Sequence, residues 1–270
     1  MRLGVIGRPI THSLSPLMQR AALDALGRSD VSYEAIDVGP DDLGAELARL
    51  ANEGFVGLNV TLPHKTRVIA CLASMDDAAR ALGAVNTLAL ERGRWVGSNT
   101  DALGLSRSLA ENDVTIAGAR VVVLGAGGAA RASVVALAEA HEVVVVARRL
   151  DAAEDVAKLH GRGRATTFAD LARALSGADL IVQASSGTLG PGAEDFAAAI
   201  PLELAPSAAV VDLVYRPRVT ALLVRARALG LRTVDGVGML VYQGAASLAR
   251  WIGADPPIEV MREAVLRALD

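Results

Sequence analysis

"RVVVLGAGGAARASVVALAEA", residues 120–140, decides the fold. The apolar run after Arg120 reads as a buried strand, a glycine turn interrupts it, and a helix-forming stretch follows. "EVVVVARR" (142–149) is the next strand, with a helix near 151–159. Strand, turn, helix and strand in this order make a βαβ unit with parallel strands.

Gly125, Gly127 and Ala130 fit the pattern G-x-G-x-x-G/A. The first glycine allows a tight turn, and the second lets the backbone approach a pyrophosphate. The small third residue lets helix and strand pack closely, with phosphate at the helix N-terminus. With Ala126, Gly128 and Ala129 they form the expected dinucleotide cradle. An NAD site would place Asp or Glu at the tip of the second strand, for the ribose 2′-hydroxyl. Here Ala147 fills that slot, followed by Arg148 and Arg149. Two cations and no acid favour a 2′-phosphate, hence NADP. The plain alternative for the arginines is a solvated surface pair, and for nearby Asp151 a helix start.

Outward from this unit the same alternation continues. "RLGVIG" (2–7), "VSYEAIDV" (31–38) and "GFVGLNV" (54–60) read as strands, the last breaking at "TLPHK". Ser15 followed by Pro16 predicts an N-cap and first helical position, opening a helix to about Leu26. Residues 41–52 are amphipathic. Segments 84–90 and 94–98 read as short strands joined at Arg92-Gly93-Arg94, and Thr100 or Asp101 caps a helix to about Asn112. "ADLIVQAS" (178–185) and "AAVVDLVY" (208–215) are further strands, with helices at 218–229, about 238–252 and 257–269. The fold class is α/β, with parallel sheets flanked by helices.

The 270 residues, 52% of them hydrophobic, suffice for one large domain or two modest ones. A net charge of -3, without a block of like charges, argues against sequence-independent nucleic-acid binding. It leaves room for a small anion. Cys71 is the only cysteine, so neither an intrachain disulfide nor a multi-cysteine metal site is expected; it reads as a small buried hydrophobe. The apolar N-terminal stretch is broken by Arg8, unlike a signal peptide. The apolar region 121–138 is interrupted by glycines and Arg131, unlike a transmembrane helix. The expectation is a soluble cytoplasmic protein.

Of 27 basic side chains only Lys65 and Lys158 are lysines. Nucleotide bias explains most of that, yet a desolvated lysine can release a proton and an arginine cannot. Lys65 closes "NVTLPHK" and Asp101 closes "VGSNTD". A dinucleotide implies hydride transfer, and reducing a ketone needs a proton donor beside the developing alkoxide. Lys65 suits that role, with a carboxylate to orient it. Whether Lys65 and Asp101 touch is not readable from the sequence. His12 and His64 read as structural or surface groups.

Seven motifs occur in order: "GRPITHSLSP" (7–16), "NVTLPHK" (59–65), "AVNT" (84–87), "SNTDALG" (98–104), "GAGGAARA" (125–132), "DLVYRP" (212–217) and "DGVGMLVYQGA" (235–245). As a set they resemble the shikimate dehydrogenase family along nearly the full chain. The resemblance implies two α/β domains with a cleft between them. Residues 1–101 plus 236–270 would form the substrate domain, and 102–235 a Rossmann-like NADP domain. It also implies Lys65 and Asp101 as the catalytic pair. Ser13, Ser15, Asn59, Thr61 and Asn86 would line a polyhydroxylated ring, together with Lys65, Asp101, Tyr215 and Gln243. Leu213, Gly236 and Met239 would lie near the nicotinamide. Four positions depart from the family's habit: Ala102 replaces Gly, Ala147 and Arg149 replace the Asn and Thr of Asn-Arg-Thr, and Gln183 replaces Asn.

The implied reaction is NADPH-dependent, reversible reduction of 3-dehydroshikimate to shikimate, on the way to aromatic amino acids. The implied partner is this small molecule, with no nucleic acid and no membrane; oligomeric state is not readable, and a homodimer stays open. One alternative is a paralogue acting on quinate or an aminated shikimate analogue, with NAD as a further option. Serines at 13 and 15 lean towards shikimate, because a threonine would crowd the ring carboxylate. A catalytically silent NADP-binding regulator would be expected to lack Lys65 or Asp101.

Overall fold

The computed structural model describes residues 1–39 and 41–270, and their contacts divide the chain into two compact units. The first comprises Met1–Gly104 with Val241–Ala268 and Asp270; the second is Leu105–Leu240 with Leu269. The sequence reading set the divisions at 101 and 236, whereas the contacts place both inside helices. Leu105 and Leu109 pack in the core of the second unit, as does partly buried Met239, so each helix begins in one unit and ends in the other.

In the first unit the order is β1 (Arg2–Gly7), α1 (Ser15–Ala25), β2 (Ser32–Asp37), α2 (Leu43–Asn52), β3 (Phe55–Val60), β4 (Ser74–Met75), α3 (Asp77–Leu82), β5 (Thr87–Glu91), β6 (Arg94–Ser98) and α4 (Asp101–Glu111). The sheet runs β2-β1-β3-β5-β6-β4. It is mixed rather than parallel throughout, because β5 runs antiparallel to both β3 and β6. A two-residue link, Arg92-Gly93, permits only an antiparallel return. Leu43, Leu47 and Leu50 recur at helical spacing and bury α2 against the sheet. The Trp95 indole N–H donates to the Leu47 carbonyl at 2.9 Å, so the largest ring of that face is also satisfied. Cys71 ends a short 3₁₀ turn, Arg67–Cys71, in which only Val68 is buried; contrary to expectation it is exposed.

The second unit continues with β7 (Arg120–Leu124), α5 (Gly128–Ala136), β8 (Glu142–Ala147), α6 (Leu150–Ala157), β9 (Gly163–Thr167), α7 (Leu171–Leu175), β10 (Leu180–Gln183), α8 (Ala193–Ala198), β11 (Ala209–Asp212), α9 (Ala221–Ala228) and β12 (Arg232–Val234). Helices α10 (Val237–Ile252) and α11 (Ile258–Arg267) follow. This sheet is parallel throughout, in the order β12-β11-β10-β7-β8-β9. Val121, Val123, Val143 and Val145 face one core, while Val122, Leu124 and Val146 face another. That double burial is why these strands read as unbroken valine runs rather than alternating ones. Strand order reverses between β7 and β10, and such a switch point is where doubly wound sheets bind ligands, outside the strands' carboxyl ends.

Candidate active site

Lys65 is held by its backbone before its side chain does anything. The His64 amide donates to the Thr61 carbonyl at 2.9 Å, and the Lys65 carbonyl accepts from the Val85 amide at 2.8 Å. The His64 ring is fully buried, with Nε2 at 2.8 Å from the Val38 carbonyl oxygen, which makes it a structural anchor. Asp101 opens α4, where a carboxylate suits the helix dipole, and its amide donates to Asn99 Oδ1 at 2.9 Å.

The structure brings the two together: Lys65 Nζ lies 2.6 Å from Asp101 Oδ2. The Asp101 side chain is 5% exposed and that of Lys65 20%. The second carboxylate oxygen accepts from Asn86 Nδ2 at 2.8 Å. Asn86 is oriented in turn, its Oδ1 accepting from the Thr100 amide at 2.9 Å and the Thr87 hydroxyl at 2.8 Å. A carboxylate so far from water keeps its charge only with such partners. Lys65 has a charged end, one side-chain partner among the described residues and access to solvent, which is what a group exchanging protons requires.

The other residues expected in this unit divide in two. Gln243 Oε1 lies 3.4 Å from Asn86 Nδ2, beside the pair. Thr61 and Ser13 are half-buried. Asn59 is different, because both ends of its carboxamide are engaged internally. Its Oδ1 accepts from the Tyr33 hydroxyl at 2.7 Å, and its Nδ2 donates to Ser247 Oγ at 3.0 Å and the Asn86 carbonyl at 3.2 Å. Ser15 does not cap α1; the cap position is Leu14, and the Ser15 amide donates to Ser13 Oγ at 3.3 Å. Sequence reasoning missed Ser247, which is fully buried and lies 2.7 Å from Thr87 Oγ1 and 3.2 Å from Thr100 Oγ1. Its position one turn beyond Gln243, on the same face of α10, was the available signal.

Tyr215 belongs to the second unit, on the segment after β11. In that unit Gly125 has φ +126°, where side chains are rarely found, and a Cβ there would lie 2.9 Å from the Ala184 carbonyl oxygen. Gly127 precedes α5 with no capping side chain, and a Cβ on it would meet nothing within 4 Å. Gly128 opens the helix, Ala126 and Ala129 are half-buried, and Ala130 is buried in the core. First-turn N–H groups without a cap and with open space before them suit a phosphate. Arg148 and Arg149 are exposed at the end of β8, beyond Ala147. Arg149 Nε lies 3.2 Å from Asp151 Oδ1, whereas Arg148 makes no ion pair among the described residues. A cradle of glycine and alanine, no acid at the strand tip and two cations fit a dinucleotide bearing a 2′-phosphate.

Comparison with known proteins shows the family. Residues 5–88 match the model of a shikimate dehydrogenase substrate binding domain, and 108–220 that of shikimate / quinate 5-dehydrogenase. Residues 236–266 match a shikimate 5'-dehydrogenase C-terminal domain. A shikimate dehydrogenase (NADP(+)) of Geobacter metallireducens is 43% identical over 99% of this chain and 96% of its own. The chain belongs to the shikimate dehydrogenase family. Among solved members, the Thermus thermophilus shikimate 5-dehydrogenase in complex with NADP(H) and shikimate superposes with a TM-score of 0.88 at 39% identity, covering 100% of both chains. A quinate dehydrogenase from Corynebacterium glutamicum in complex with NAD also superposes at 0.88, with 29% identity over 99% of each chain. The family's fold therefore spans more than one substrate and cofactor, and local residues decide between them.

Proposed function

We propose that this chain catalyses the reversible NADPH-dependent reduction of 3-dehydroshikimate to shikimate, with Lys65 moving the proton. The observation that carries the reading is the 2.6 Å contact of Lys65 Nζ with a buried Asp101 whose other oxygen is held by Asn86. Reduction adds hydride to the ring carbonyl carbon and a proton to its oxygen. Bound NADPH supplies the hydride. Lys65 donates the proton as the carbonyl electron pair moves onto oxygen, and takes it back in the oxidation. Asp101 and Asn86 hold the ammonium in line, and the exposed fifth of the lysine side chain lets water restore its proton.

Ser13, Ser15, Thr61 and Gln243 supply short polar groups for the ring hydroxyls and carboxylate. Asn59 and Asn86 act one step back, because their donors and acceptors are already taken. Gly125 to Ala130 cradle the pyrophosphate, Arg148 and Arg149 meet the 2′-phosphate, and Leu213, Gly236 and Met239 meet the nicotinamide. The expected cytoplasmic location and the absence of a nucleic-acid partner belong to the same proposal. Among the described residues no helix is long and apolar enough to cross a membrane.

A quinate-oxidising, NAD-using enzyme is the second reading. The Arg149–Asp151 pair favours it, because a carboxylate beside the guanidinium weakens its hold on a phosphate. The test is to incubate the purified protein with 3-dehydroshikimate and NADPH and to identify the product. Stoichiometric shikimate is expected. No turnover here, with quinate oxidised by NAD instead, would replace the proposal with the second reading.

A further inference from the structure

We propose that a buried row of polar side chains, Gln183, Thr188, Asp212 and Thr220, is a positioning staple for hydride transfer, fixing the Leu213–Tyr215 segment that meets the nicotinamide end of the cofactor. The inference rests on the dinucleotide reading of the second unit. All four side chains are essentially inaccessible to solvent, at 0%, 1%, 0% and 0% exposure.

Two branches of hydrogen bonds converge on the carboxylate, and Gln183 is itself anchored on Ser185, its Nε2 donating to the Ser185 carbonyl at 3.2 Å and its Oε1 accepting from the Ser185 hydroxyl at 3.0 Å. Gln183 Nε2 donates to Thr188 Oγ1 at 3.4 Å, and the Thr188 hydroxyl donates to Asp212 Oδ1 at 3.3 Å. From the other side the Leu223 amide donates to Thr220 Oγ1 at 3.3 Å, and the Thr220 hydroxyl donates to Asp212 Oδ2 at 2.7 Å. A hydroxyl has a single proton to give, so this order uses each one once. The Val214 amide adds a third donor to Asp212 at 3.0 Å.

The consequence is local order at the carboxyl ends of two neighbouring strands. Gln183 and Asp212 are register partners in β10 and β11, and the Leu213 amide donates to the Gln183 carbonyl at 3.0 Å. Asp212 and Thr220 stand at the two ends of residues 213–219, so their bond closes that loop at its base. The loop is also tied to the segment before α10. Arg218 Nε lies 2.8 Å from Asp235 Oδ2, and a Cβ on Gly236 would sit 2.5 Å from the Leu213 carbonyl oxygen. Leu213 and Gly236 thus share one support.

A role in packing alone does not account for the row. The buried residues of β7, β8, β10 and β11 are otherwise valine, leucine, isoleucine and alanine, and this composition fills a two-faced core without polar side-chain atoms. No cation pairs with Asp212 among the described residues, and its burial pushes the carboxyl pKa up. A desolvated carboxyl held only by neutral donors costs stability, so its return is sought in geometry. Glutamine at 183 contributes through length, its terminal amide reaching the Thr188 hydroxyl.

The test uses the full chain. In Asp212→Asn the NADP+ dissociation constant should rise about three- to tenfold. That for 2′,5′-ADP, which lacks the nicotinamide half, should stay within about twofold. The rate of 3-dehydroshikimate reduction should fall on the order of tenfold to a hundredfold, as a misplaced donor predicts, with a larger primary deuterium isotope effect from 4-deuterated NADPH. Thr188→Val, which leaves the carboxylate in place, should shift each quantity the same way by less, and Thr188→Ser should restore it; this pair reads the staple if Asp212→Asn does not fold. Equal weakening of NADP+ and 2′,5′-ADP, or an unchanged isotope effect, would overturn the proposal. If the wild type does not turn over 3-dehydroshikimate, the substrate reading fails, and the two dissociation constants still judge the staple with cofactor alone.

Discussion

Asp101 and Asp212 are both buried aspartates, one in each unit, and they are kept in opposite ways. Asp101 faces an ammonium at 2.6 Å and one amide, whereas Asp212 faces two hydroxyls and a backbone N–H. The first arrangement is a charge pair with a solvent-reaching partner, suited to handling a proton. The second has no charged partner among the described residues, and its worth lies in what it holds still. Burial of a carboxyl is thus not in itself a mark of catalysis; the partner's chemistry assigns the role.

Lys65→Ala breaks the comparison most severely, because it turns Asp101 into a buried carboxylate without a cation. The rate constant for turnover should fall about 10²- to 10⁴-fold, while the shikimate dissociation constant changes by a few-fold at most. Steady-state kinetics beside equilibrium titration would show it, and equal losses in both would reduce Lys65 to a binding residue. Next in size is the double change Arg148→Ala with Arg149→Ala, which removes the two exposed cations at the tip of β8. Hydrogen bonds to charged groups contribute about 1.5–3 kcal/mol each, so the preference for NADP over NAD should drop at least tenfold. Calorimetric titration of both cofactors checks this, and Arg148→Ala alone should account for most of it, since Arg149 is engaged by Asp151.

Gly125→Ala is expected to cost about 1–3 kcal/mol of stability from backbone conformation alone, with a further penalty from the Ala184 carbonyl oxygen 2.9 Å from the new methyl. Thermal unfolding measures it, and an unchanged midpoint would contradict the cradle geometry. The smallest effect concerns Asp212. Burial raises its pKa above the ordinary 3.8, so the folded chain keeps a proton that the unfolded chain has lost. Stability contributed by this group therefore falls as pH rises from about 3.8 through the raised folded value. Asp212→Asn cannot titrate and should lack that fall. Denaturation curves of the two proteins across the acid range should diverge there, and parallel curves would refute it.

The second unit's sheet was largely legible because its central strands are buried on both faces and read as valine runs. Its edges were not: β9 is "GRATT", polar and half-exposed, and β12 spans three residues. In the first unit the Arg92-Gly93 link foretold the hairpin, but not that β5 would pair antiparallel with β3 as well. Lys65 and Asp101 could be nominated from residue type and motif. Their contact could not, since it depends on where Val85 pins one backbone and Asn99 the other. Asn59 shows the limit most clearly, because a motif names a polar residue without saying which of its atoms are already spent. Thr220 announces nothing in sequence, as a threonine hydroxyl gains its role only from what it faces, and Ser247 is marked only by standing one turn beyond Gln243.

On the proposed function, these residues serve one acid and one cofactor together. The direct measurement is initial-rate oxidation of shikimate and of quinate by the purified chain, each with NADP+ and with NAD+, compared as kcat/KM. Shikimate with NADP+ should give the highest of the four values, and quinate with NAD+ the lowest. A highest value for quinate, or for NAD+ with either acid, would contradict the assignment.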